Sequence, residues 1–282
     1  MIKKTKLNLN SAKLYKSVNK KKYFISEDNI IFLDPHPTDT ELKNFYNEEY
    51  KMGAYQHYAE NHLIKEFTAL SRINLFKNII NKGLLLDIGC SSGGFIESAL
   101  SKGYDAYGLE MSSEAIKKAK QSIKKRITLG DAEKLTEKMS EKFDVITAFD
   151  VVEHTKDPVS FIQNLSNLLK KNGIIVFTTP DTDHYLRYLM GKHWPMLQPC
   201  QHLYLFNKNN FSKIISDCNL KLIDTNTFKK SISIDYIFNQ LTQTNKLLYR
   251  TYKNFSFLIP DKLKNKIFGV NIGEFYTIAK KI

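Results

Sequence analysis

Two acidic residues stand on either side of a glycine-rich segment, and their spacing suits the binding of a nucleoside. Asp87 ends the apolar run 84–86, the segment 89–94 (Gly-Cys-Ser-Ser-Gly-Gly) follows, and Glu110 ends a second apolar run. Glycine has no Cβ, so its backbone can adopt positive φ angles and a ligand can approach it closely. An acid at the end of the second strand can accept hydrogen bonds from ribose hydroxyls. The stretch therefore predicts a site for a nucleoside-containing cofactor.

The details of the glycine segment favour one type of cofactor. A dinucleotide-binding turn has the pattern G-x-G-x-x-G, in which the second glycine lets the pyrophosphate approach the backbone. Ser91 occupies that position here, and Asp87 lies two residues before the first glycine, Gly89. A carboxylate at this point suits a cofactor that has a cationic end and no phosphate. S-adenosylmethionine, with its ammonium and sulfonium groups, is such a cofactor.

The elements that would position these acids alternate between strands and helices. Apolar runs predict strands at 84–86, 104–109, 126–129, 143–149, 173–179, 220–227 and 274–279. Amphipathic stretches predict helices at 63–80, at 95–102 and from Asp157-Pro158 to Lys171. Strands that alternate with helices are typical of a doubly wound, mostly parallel α/β sheet. Ligands of such sheets bind outside the carboxyl ends of the strands.

A polar loop follows the strand predicted at 143–149. It reads Asp150-Val151-Val152-Glu153-His154 and would lie at a carboxyl end, beside a bound cofactor. His154 is a candidate general base, because the unperturbed pKa of histidine is near 6.5. The alternative is a histidine whose ring braces the loop through a bond to the backbone.

The segment 181–206 predicts the acceptor pocket. A loop of this length inside a compact domain is usually functional, and it leaves the carboxyl end of a predicted strand. His202 is the preferred candidate for a catalytic base or an acceptor-orienting group, with a purely structural hydrogen bond as the alternative. His193, Trp194 and Tyr204 are the candidate pocket walls in this segment.

The two polar motifs carry a resemblance to a known family. D-I-G-C-S-S-G-G-F resembles motif I of the class I S-adenosylmethionine-dependent methyltransferases, usually D-x-G-x-G-x-G, and departs from it at Ser91. D-V-V-E-H resembles the corresponding loop of small-molecule O-methyltransferases, including ubiquinone-pathway and sugar-tailoring enzymes. The segment H-W-P-x-x-x-x-P-x-Q-H-L-Y-x-F resembles one in surface-glycan and related methyltransferases. The resemblance implies a seven-stranded Rossmann-like sheet and methyl transfer to a hydroxyl of a small molecule, such as a sugar, a nucleotide sugar or a lipid-linked precursor.

The resemblance also implies which residues hold the cofactor. Asp131, after the third strand, resembles the residue that contacts the adenine amino group, although it could equally be a helix N-cap. The residues expected to bind S-adenosylmethionine are Asp87, Gly89, Cys90, Gly93, Glu110, Met111, Asp131, Ala132, Phe149 and Asp150. The segment before the first strand often forms a lid in this family, so Tyr50, Tyr55 and Tyr58 are expected in the substrate pocket.

The resemblance and the positions of turn-forming residues along the chain suggest five regions. Residues 1–40 form an N-terminal extension with a degenerate hairpin that turns near Asn19, and residues 41–82 form the lid and leading helices. Residues 83–230 form the cofactor-binding core, 231–268 a helical insertion or cap, and 269–282 the last strand. A related subgroup carries a zinc ribbon at its N-terminus. No cysteine precedes Cys90 here, so no metal is expected.

Charge and cysteine content suggest partners and compartment. The net charge of +13 favours an anionic small-molecule acceptor, although a lysine-rich compositional bias would explain the charge as well. The three cysteines lack metal-like spacing and the basic N-terminus lacks an apolar signal segment, which is typical of a cytoplasmic protein. The segment 231–268 mixes apolar residues with Lys and Arg. A helical cap is the preferred interpretation, and contact with the inner face of an anionic membrane is the alternative.

Three other functions are compatible with parts of this pattern. An RNA or protein methyltransferase would suit the charge and would show salt-dependent nucleic-acid binding, but D-V-V-E-H argues against it. A nicotinamide dehydrogenase is disfavoured by Ser91 and Asp87. A non-catalytic partner that binds S-adenosylmethionine would show no kinetic effect of His202→Ala.

Overall fold

The computed structural model describes most of the chain. Its described residues are 11–38, 62–134, 142–199, 201–238 and 246–282, together with Leu7, Leu9, residues 40–42, Phe45 and Glu48. The lid candidates Tyr50, Tyr55 and Tyr58 lie outside these residues.

The described elements follow one another in the order that the sequence predicts for an α/β protein. The strands are β1 (Lys13–Val18), β2 (Lys21–Ile25), β3 (Ile31–Leu33), β4 (Gly83–Ile88), β5 (Tyr104–Glu110), β6 (Ile127–Leu129), β7 (Phe143–Phe149), β8 (Leu169–Pro180), β9 (Tyr204–Leu205), β10 (Leu220–Ser233) and β11 (Ile267–Lys281). The α-helices are α1 (His62–Phe76), α2 (Gly94–Ser101), α3 (Ser113–Lys117), α4 (Gln121–Lys124), α5 (Pro158–Leu168), α6 (Tyr185–Met190), α7 (Lys208–Asp217), α8 (Lys246–Phe255) and α9 (Asp261–Lys264). Among them, none is long and apolar enough to cross a membrane.

Seven strands form the large sheet, in the order β10-β11-β8-β7-β4-β5-β6. The pairs among β4, β5, β6, β7 and β8 are parallel, and β11 pairs antiparallel with both β8 and β10. This confirms the predicted doubly wound, mostly parallel sheet. The strand order reverses at β4, between β5 and β7, and such a switch point opens a crevice at the carboxyl ends of the strands.

Helices cover both faces of this sheet because its central strands are apolar on both sides. On one face, α5 and α7 pack on side chains such as Leu86, Ile146 and Phe177. On the other face, α1 and α2 pack on Leu85 and Val176. The core therefore holds the carboxyl ends of β4, β5, β7 and β8 at one edge, where the predicted site residues lie.

A small antiparallel sheet has the order β1-β2-β3-β9. The predicted hairpin turns at Asn19 and Lys20, whose φ angles of 48° and 65° suit a two-residue hairpin turn. The sequence did not predict β3 or its pairing with β9, because β9 contributes only two residues and has no local signal. This pairing ties the N-terminal extension to the predicted acceptor segment.

Several boundaries differ from the sequence prediction. Helix α1 ends at Phe76 rather than at residue 80, and α5 ends at Leu168 rather than at Lys171. Leu169 already pairs with Phe143, and Asn172, with a φ of 68°, belongs to an irregular stretch of β8 rather than to a helix stop.

The predicted insertion 231–268 is shorter than expected. Residues 231–233 belong to β10 and residues 267–268 belong to β11, because the two strands keep pairing beyond the point where β8 ends. The alternation Lys-Ser-Ile-Ser at 230–233 gave a weak strand signal. The resulting two-stranded arm projects from the carboxyl edge of the sheet, so the rest of the insertion begins and ends at that edge.

Candidate active site

Two glycines in the turn after β4 leave space that a side chain would fill. Gly89 and Gly93 have φ angles of 69° and 79°. A Cβ on Gly89 would lie 2.7 Å from Val151 Cγ2, and one on Gly93 would lie 2.4 Å from Ile123 Cγ2. Both positions therefore require glycine, as the sequence pattern suggested. Ser91 also has a left-handed φ, of 50°.

Glu110 holds the turn against the end of β5. Its carboxylate accepts hydrogen bonds from the backbone N–H groups of Ser91 and Ser112, both at 2.8 Å, one on each oxygen. Burial raises the pKa of Glu110, while these backbone bonds oppose the rise. The acid is thus fixed beside the glycine turn.

Asp87 is buried at the end of β4, with 4% of its surface exposed. It accepts a hydrogen bond from Thr147 Oγ1 at 2.7 Å. Burial raises the pKa of Asp87 to about 7, although Thr147 and the nearby cation of Arg72 oppose the rise. A carboxylate held in this way gains stability from any cation that binds beside it.

The other predicted cofactor residues differ in what they offer. Cys90 is 5% exposed, and a Cβ on Gly108 would lie 2.4 Å from its Sγ, so its side chain lies in the core and only its backbone is available. Met111 is 54% exposed. Asp131 accepts a bond from the N–H of Glu133 at 3.0 Å, as a cap of the 3₁₀ turn that begins at Ala132.

Asp150 lies at the end of β7 in a left-handed conformation, with a φ of 57°. Its Oδ1 accepts from Thr178 Oγ1 at 2.9 Å, and its Oδ2 lies 2.5 Å from Arg72 Nη2. The Arg72 guanidinium also lies 4.5 Å from the centre of the Phe149 ring. Burial raises the pKa of Asp150, but Arg72 and Lys230 lower it more, so the pKa lies below its ordinary value.

Three charged residues in this cluster were missed by the sequence analysis. Arg72 comes from α1, Lys230 from β10 and Glu274 from β11, and Lys230 Nζ lies 2.7 Å from Glu274 Oε1. Burial raises the pKa of Glu274, while Lys230 opposes the rise. Other charged residues occur in the same elements, such as Glu66 in α1 and Lys229 in β10, so the sequence does not distinguish these three. The contacts join positions that are distant along the chain.

His154 and His202 meet at the same edge of the sheet. Their ring centres are 4.9 Å apart, at an angle of 72°. His202 Nδ1 lies 2.7 Å from the carbonyl oxygen of Met196, so Nδ1–H donates there and Nε2 carries the lone pair. Burial lowers the pKa of His202 to about 4 and that of His154 to about 3. Both rings are therefore neutral at neutral pH.

Glu153 completes a group that is able to bind a divalent cation. The ligand atoms of Glu153, His154 and His202 lie within 4.8 Å of one another. Glu153 accepts a bond from Thr179 Oγ1 at 2.9 Å, and burial, reinforced by Asp150, raises its pKa well above the ordinary value. A carboxylate and two imidazoles are a common ligand set for zinc. The sequence analysis expected no metal.

The candidate pocket walls lie elsewhere than expected. Trp194 is 2% exposed and Tyr204 6% exposed, and both belong to the main apolar core. Tyr204 stacks between Phe32 and Phe206, because the small sheet covers this side of the acceptor segment. His193 is exposed on the 3₁₀ turn that follows α6. The structure therefore brings His202 to the polar cluster, but places these aromatic rings in packing positions.

The fold and the site together define a class of protein. A seven-stranded sheet with an antiparallel strand beside β8, a glycine turn after β4 and an acid at the end of β5 is the Rossmann-like methyltransferase arrangement. A sequence family described as a methyltransferase domain matches residues 55–225. The chain therefore belongs to the methyltransferase family, and its methyl donor is S-adenosylmethionine, as predicted.

Individual relatives agree with this assignment. The chain is 32% identical over 201 residues to a ubiquinone biosynthesis O-methyltransferase of Pelagibacter ubique, which covers 64% of this chain and 82% of that protein. A protein of the same name from Glaesserella parasuis is 31% identical over 175 residues, or 56% of this chain and 70% of that one. The crystal structure of a SAM-dependent methyltransferase from Archaeoglobus fulgidus shares the fold, with a TM-score of 0.53 and 18% identity over 77% of this chain and 94% of that one.

Proposed function

We propose that the protein transfers the methyl group of S-adenosylmethionine to a hydroxyl group of an anionic small molecule. The observation that carries the proposal is the placement of His202. Its Nδ1 is bonded to a backbone carbonyl, which leaves a basic Nε2 beside the polar cluster at the end of β7. The D-V-V-E-H loop and the names of the relatives favour oxygen as the methyl acceptor.

The buried charges suggest how the cofactor lies. The amino-acid end of S-adenosylmethionine carries an ammonium and a carboxylate. The site offers the Asp87 carboxylate for the ammonium and the Arg72 guanidinium for the carboxylate. Arg72 is close enough to Asp87 to lower the pKa of that acid. Glu110 is positioned to accept bonds from the ribose hydroxyls. In this arrangement Asp131 and Ala132 face the adenine, and Phe149 and Asp150 lie near the reacting methyl.

The reaction is an in-line displacement on the methyl carbon. A bond forms from the acceptor oxygen to carbon, the carbon–sulfur bond breaks, S-adenosylhomocysteine leaves, and the hydroxyl proton passes to His202 Nε2. Positioning and the exclusion of water supply most of the acceleration, and a base adds to it. An anionic acceptor beside the two histidines would raise their pKa values and strengthen His202 as a base.

The class of acceptor is also a proposal. Nucleotide sugars and quinone precursors both carry hydroxyls. They are the first acceptors to screen, because the motifs resemble those of surface-glycan and ubiquinone-pathway methyltransferases. Glycan biosynthesis and ubiquinone biosynthesis are the corresponding cellular contexts. A cytoplasmic location suits either one. Each assay is to be run with and without EDTA, because Glu153, His154 and His202 are able to hold a cation.

The pH dependence of cofactor binding tests the assignment of Asp87. The pKa of Asp87 is about 7 in the empty site, and a bound ammonium lowers it, so binding below pH 7 releases a proton. We expect the affinity for S-adenosylmethionine to rise by up to about tenfold per pH unit from pH 5 towards 7, and then to level off. Calorimetry with S-adenosylmethionine, S-adenosylhomocysteine and NAD measures this directly.

The matched variant is Asp87→Asn, which keeps the size of the side chain but cannot ionise. It should bind S-adenosylmethionine weakly and without the pH dependence. An unchanged affinity and an unchanged pH profile in this variant would contradict the role of Asp87. Binding of NAD alone would contradict the proposed function itself.

We also propose peripheral contact with a membrane through the predicted insertion. Phe255, at the end of α8, is 60% exposed, and Phe257 and Leu258, just after it, are 76% and 67% exposed. The exposed cations Arg250 and Lys253 lie on α8 itself. A helical cap would cover such side chains, whereas an anionic bilayer would bury them and attract the cations. The insertion leaves from the same edge of the sheet as the candidate active site.

Vesicle sedimentation tests this contact. The protein should sediment with phosphatidylglycerol vesicles and not with phosphatidylcholine vesicles, and Phe257→Ser should reduce the bound fraction by about fivefold. Leu14→Ser is the control, since Leu14 is 57% exposed on β1 and far along the chain from the insertion. Equal loss in both variants, or no sedimentation of the wild type, would leave the cap as the interpretation.

A further inference from the structure

Arg187 is a buried cation for which the described residues supply no counter-ion. Its side chain lies on α6 and is 7% exposed. Its described contacts are a hydrogen bond from Nη2 to the Tyr188 hydroxyl and two aromatic rings, Tyr188 at 4.3 Å and Tyr15 at 5.6 Å from the guanidinium carbon. Its Nε has no hydrogen-bond partner. Within the described residues, no carboxylate forms an ion pair with it.

The aromatic contacts do not compensate for this burial. The attraction between a guanidinium and an aromatic face is considerably smaller than the cost of removing an unpaired charge from water. The two acids nearest in sequence are bonded elsewhere. Asp181 pairs with Lys208 at 2.7 Å, and Asp183 accepts from Asn207 Nδ2 at 3.2 Å. Neither acid, therefore, balances the charge of Arg187.

Two neighbours of Arg187 along the chain are also buried without partners. His184, three residues before Arg187, is 8% exposed, and neither of its ring nitrogens has a hydrogen-bond partner. Thr182 is 1% exposed, and its hydroxyl is likewise without a partner. His184 is the N-cap of α6 and its carbonyl accepts the backbone N–H of Arg187 at 3.1 Å, so the two residues share the first turn of this helix. Buried polar groups normally have partners, so three such groups within six residues indicate a ligand.

The ring of His184 packs closely against the backbone of β11. It lies against Gly273, where a Cβ would lie 2.9 Å from Nδ1. Gly273 has a φ of 93°, which only glycine adopts readily. The segment 181–190 leaves the carboxyl end of β8, the strand next to β7 and Asp150, so it belongs to the edge where ligands of such sheets bind.

We propose that Arg187, His184 and Thr182 form a subsite for an oxyanion, a carboxylate or a phosphate, of the methyl acceptor. This rests on the proposed function, and it extends that function by naming the groups that recognise the acceptor's charge. The guanidinium supplies two donors in a fork that matches either oxyanion. The imidazole and the hydroxyl supply one donor each.

The test measures anion binding in the absence of S-adenosylmethionine. Inorganic phosphate and acetate are titrated into the wild type at constant ionic strength and followed by calorimetry and by thermal shift. Arg187→Met should weaken the binding of the favoured anion by about tenfold or more, because a charge-assisted hydrogen bond is lost. Lys192→Met, which removes an exposed cation from the same segment, should bind like the wild type. Tighter binding of phosphate would indicate a phosphorylated acceptor, and tighter binding of acetate would indicate a carboxylated one.

Thr182→Val keeps the size of its side chain and provides a second readout if Arg187→Met does not fold. It should also weaken the favoured anion. No anion response in the wild type, or an equal response in wild type, Arg187→Met and Thr182→Val, would overturn the subsite. The same samples are titrated with S-adenosylmethionine. A wild type that does not bind S-adenosylmethionine would contradict the proposed function alone. A wild type that binds S-adenosylmethionine but neither anion would contradict the subsite alone.

Discussion

Replacing Glu110 by glutamine is expected to lower the affinity for S-adenosylmethionine by about 100-fold, measured by calorimetry. Each carboxylate oxygen accepts one backbone N–H bond, from Ser91 and from Ser112. An amide nitrogen cannot accept such a bond, so one N–H would face another donor in a buried place. The variant therefore disturbs the glycine turn and also removes the charge that we assign to the ribose.

Glu97→Gln is the matched control for this prediction. Glu97 is an exposed acid on α2 that pairs with Lys120 at 2.6 Å, and exposed ion pairs contribute little. Its affinity for S-adenosylmethionine should stay within about twofold of the wild type. If Glu110→Gln also stayed within that range, Glu110 would have only a structural role in the turn.

Replacing His202 by alanine is expected to lower kcat by between about 100-fold and 10,000-fold once an acceptor is in hand. The Kd for S-adenosylmethionine should not change, because the predicted cofactor contacts lie at the carboxyl ends of β4, β5, β6 and β7 and in the turns that follow them, outside the segment 181–206. The prediction follows from the tautomer that the Met196 carbonyl selects, which leaves Nε2 as the proton acceptor. His193→Ala is the control, since His193 is an exposed histidine in the same segment.

The pH profile separates a base from a merely structural histidine. Burial lowers the pKa of His202 to about 4. With S-adenosylmethionine kept saturating, so that Asp87 no longer limits cofactor binding, kcat/KM for the acceptor should fall only at pH values well below 6.5. His202→Ala should lack that acidic limb. A variant that keeps both wild-type kcat and the limb would show that methyl transfer here depends on positioning alone, or that His154 acts as the base.

The stability of the fold should respond to the same histidine. Its folded pKa lies below the ordinary value of 6.5, so the unfolded state takes up the proton first as the pH falls. His202 therefore contributes a loss of stability between about pH 6.5 and 4. Comparing denaturation of wild type and His202→Ala across this range isolates the contribution, because the buried acids are common to both proteins.

The candidate cofactor residues could be predicted from the sequence because the residues that indicate them lie close together along the chain. Asp87 and Glu110 each end an apolar run, and Gly89 and Gly93 between them fall at positions where the structure leaves no room for a Cβ. Residues 84–110 also form one strand–helix–strand unit, which folds back on itself in a predictable way. The same alternation of strands and helices, continued to β8, predicted the mostly parallel sheet.

The polar cluster at the other half could not be read in this way. Arg72, Lys230 and Glu274 come from three elements and meet only in the folded protein. Trp194 resembled a pocket wall because tryptophan is rare and the segment is irregular, yet it packs in the core beneath the small sheet. Sequence spacing does not report such packing, since its partners lie in the N-terminal extension.

The small sheet limits how acceptor specificity can be transplanted between relatives. The backbone of Leu33 bonds to Leu203 at 2.9 Å, and the Tyr23 hydroxyl bonds to the carbonyl of His202 at 3.0 Å. In a chimera that exchanged only residues 181–206, the new segment would have to pair with the β3 of a different protein. The backbone of His202 would then no longer be held in the position that pairing with β3 gives it. Exchange of acceptor specificity therefore requires that two segments, residues 13–33 and 181–206, be transferred together. Most of the cofactor-binding domain lies between them in the sequence.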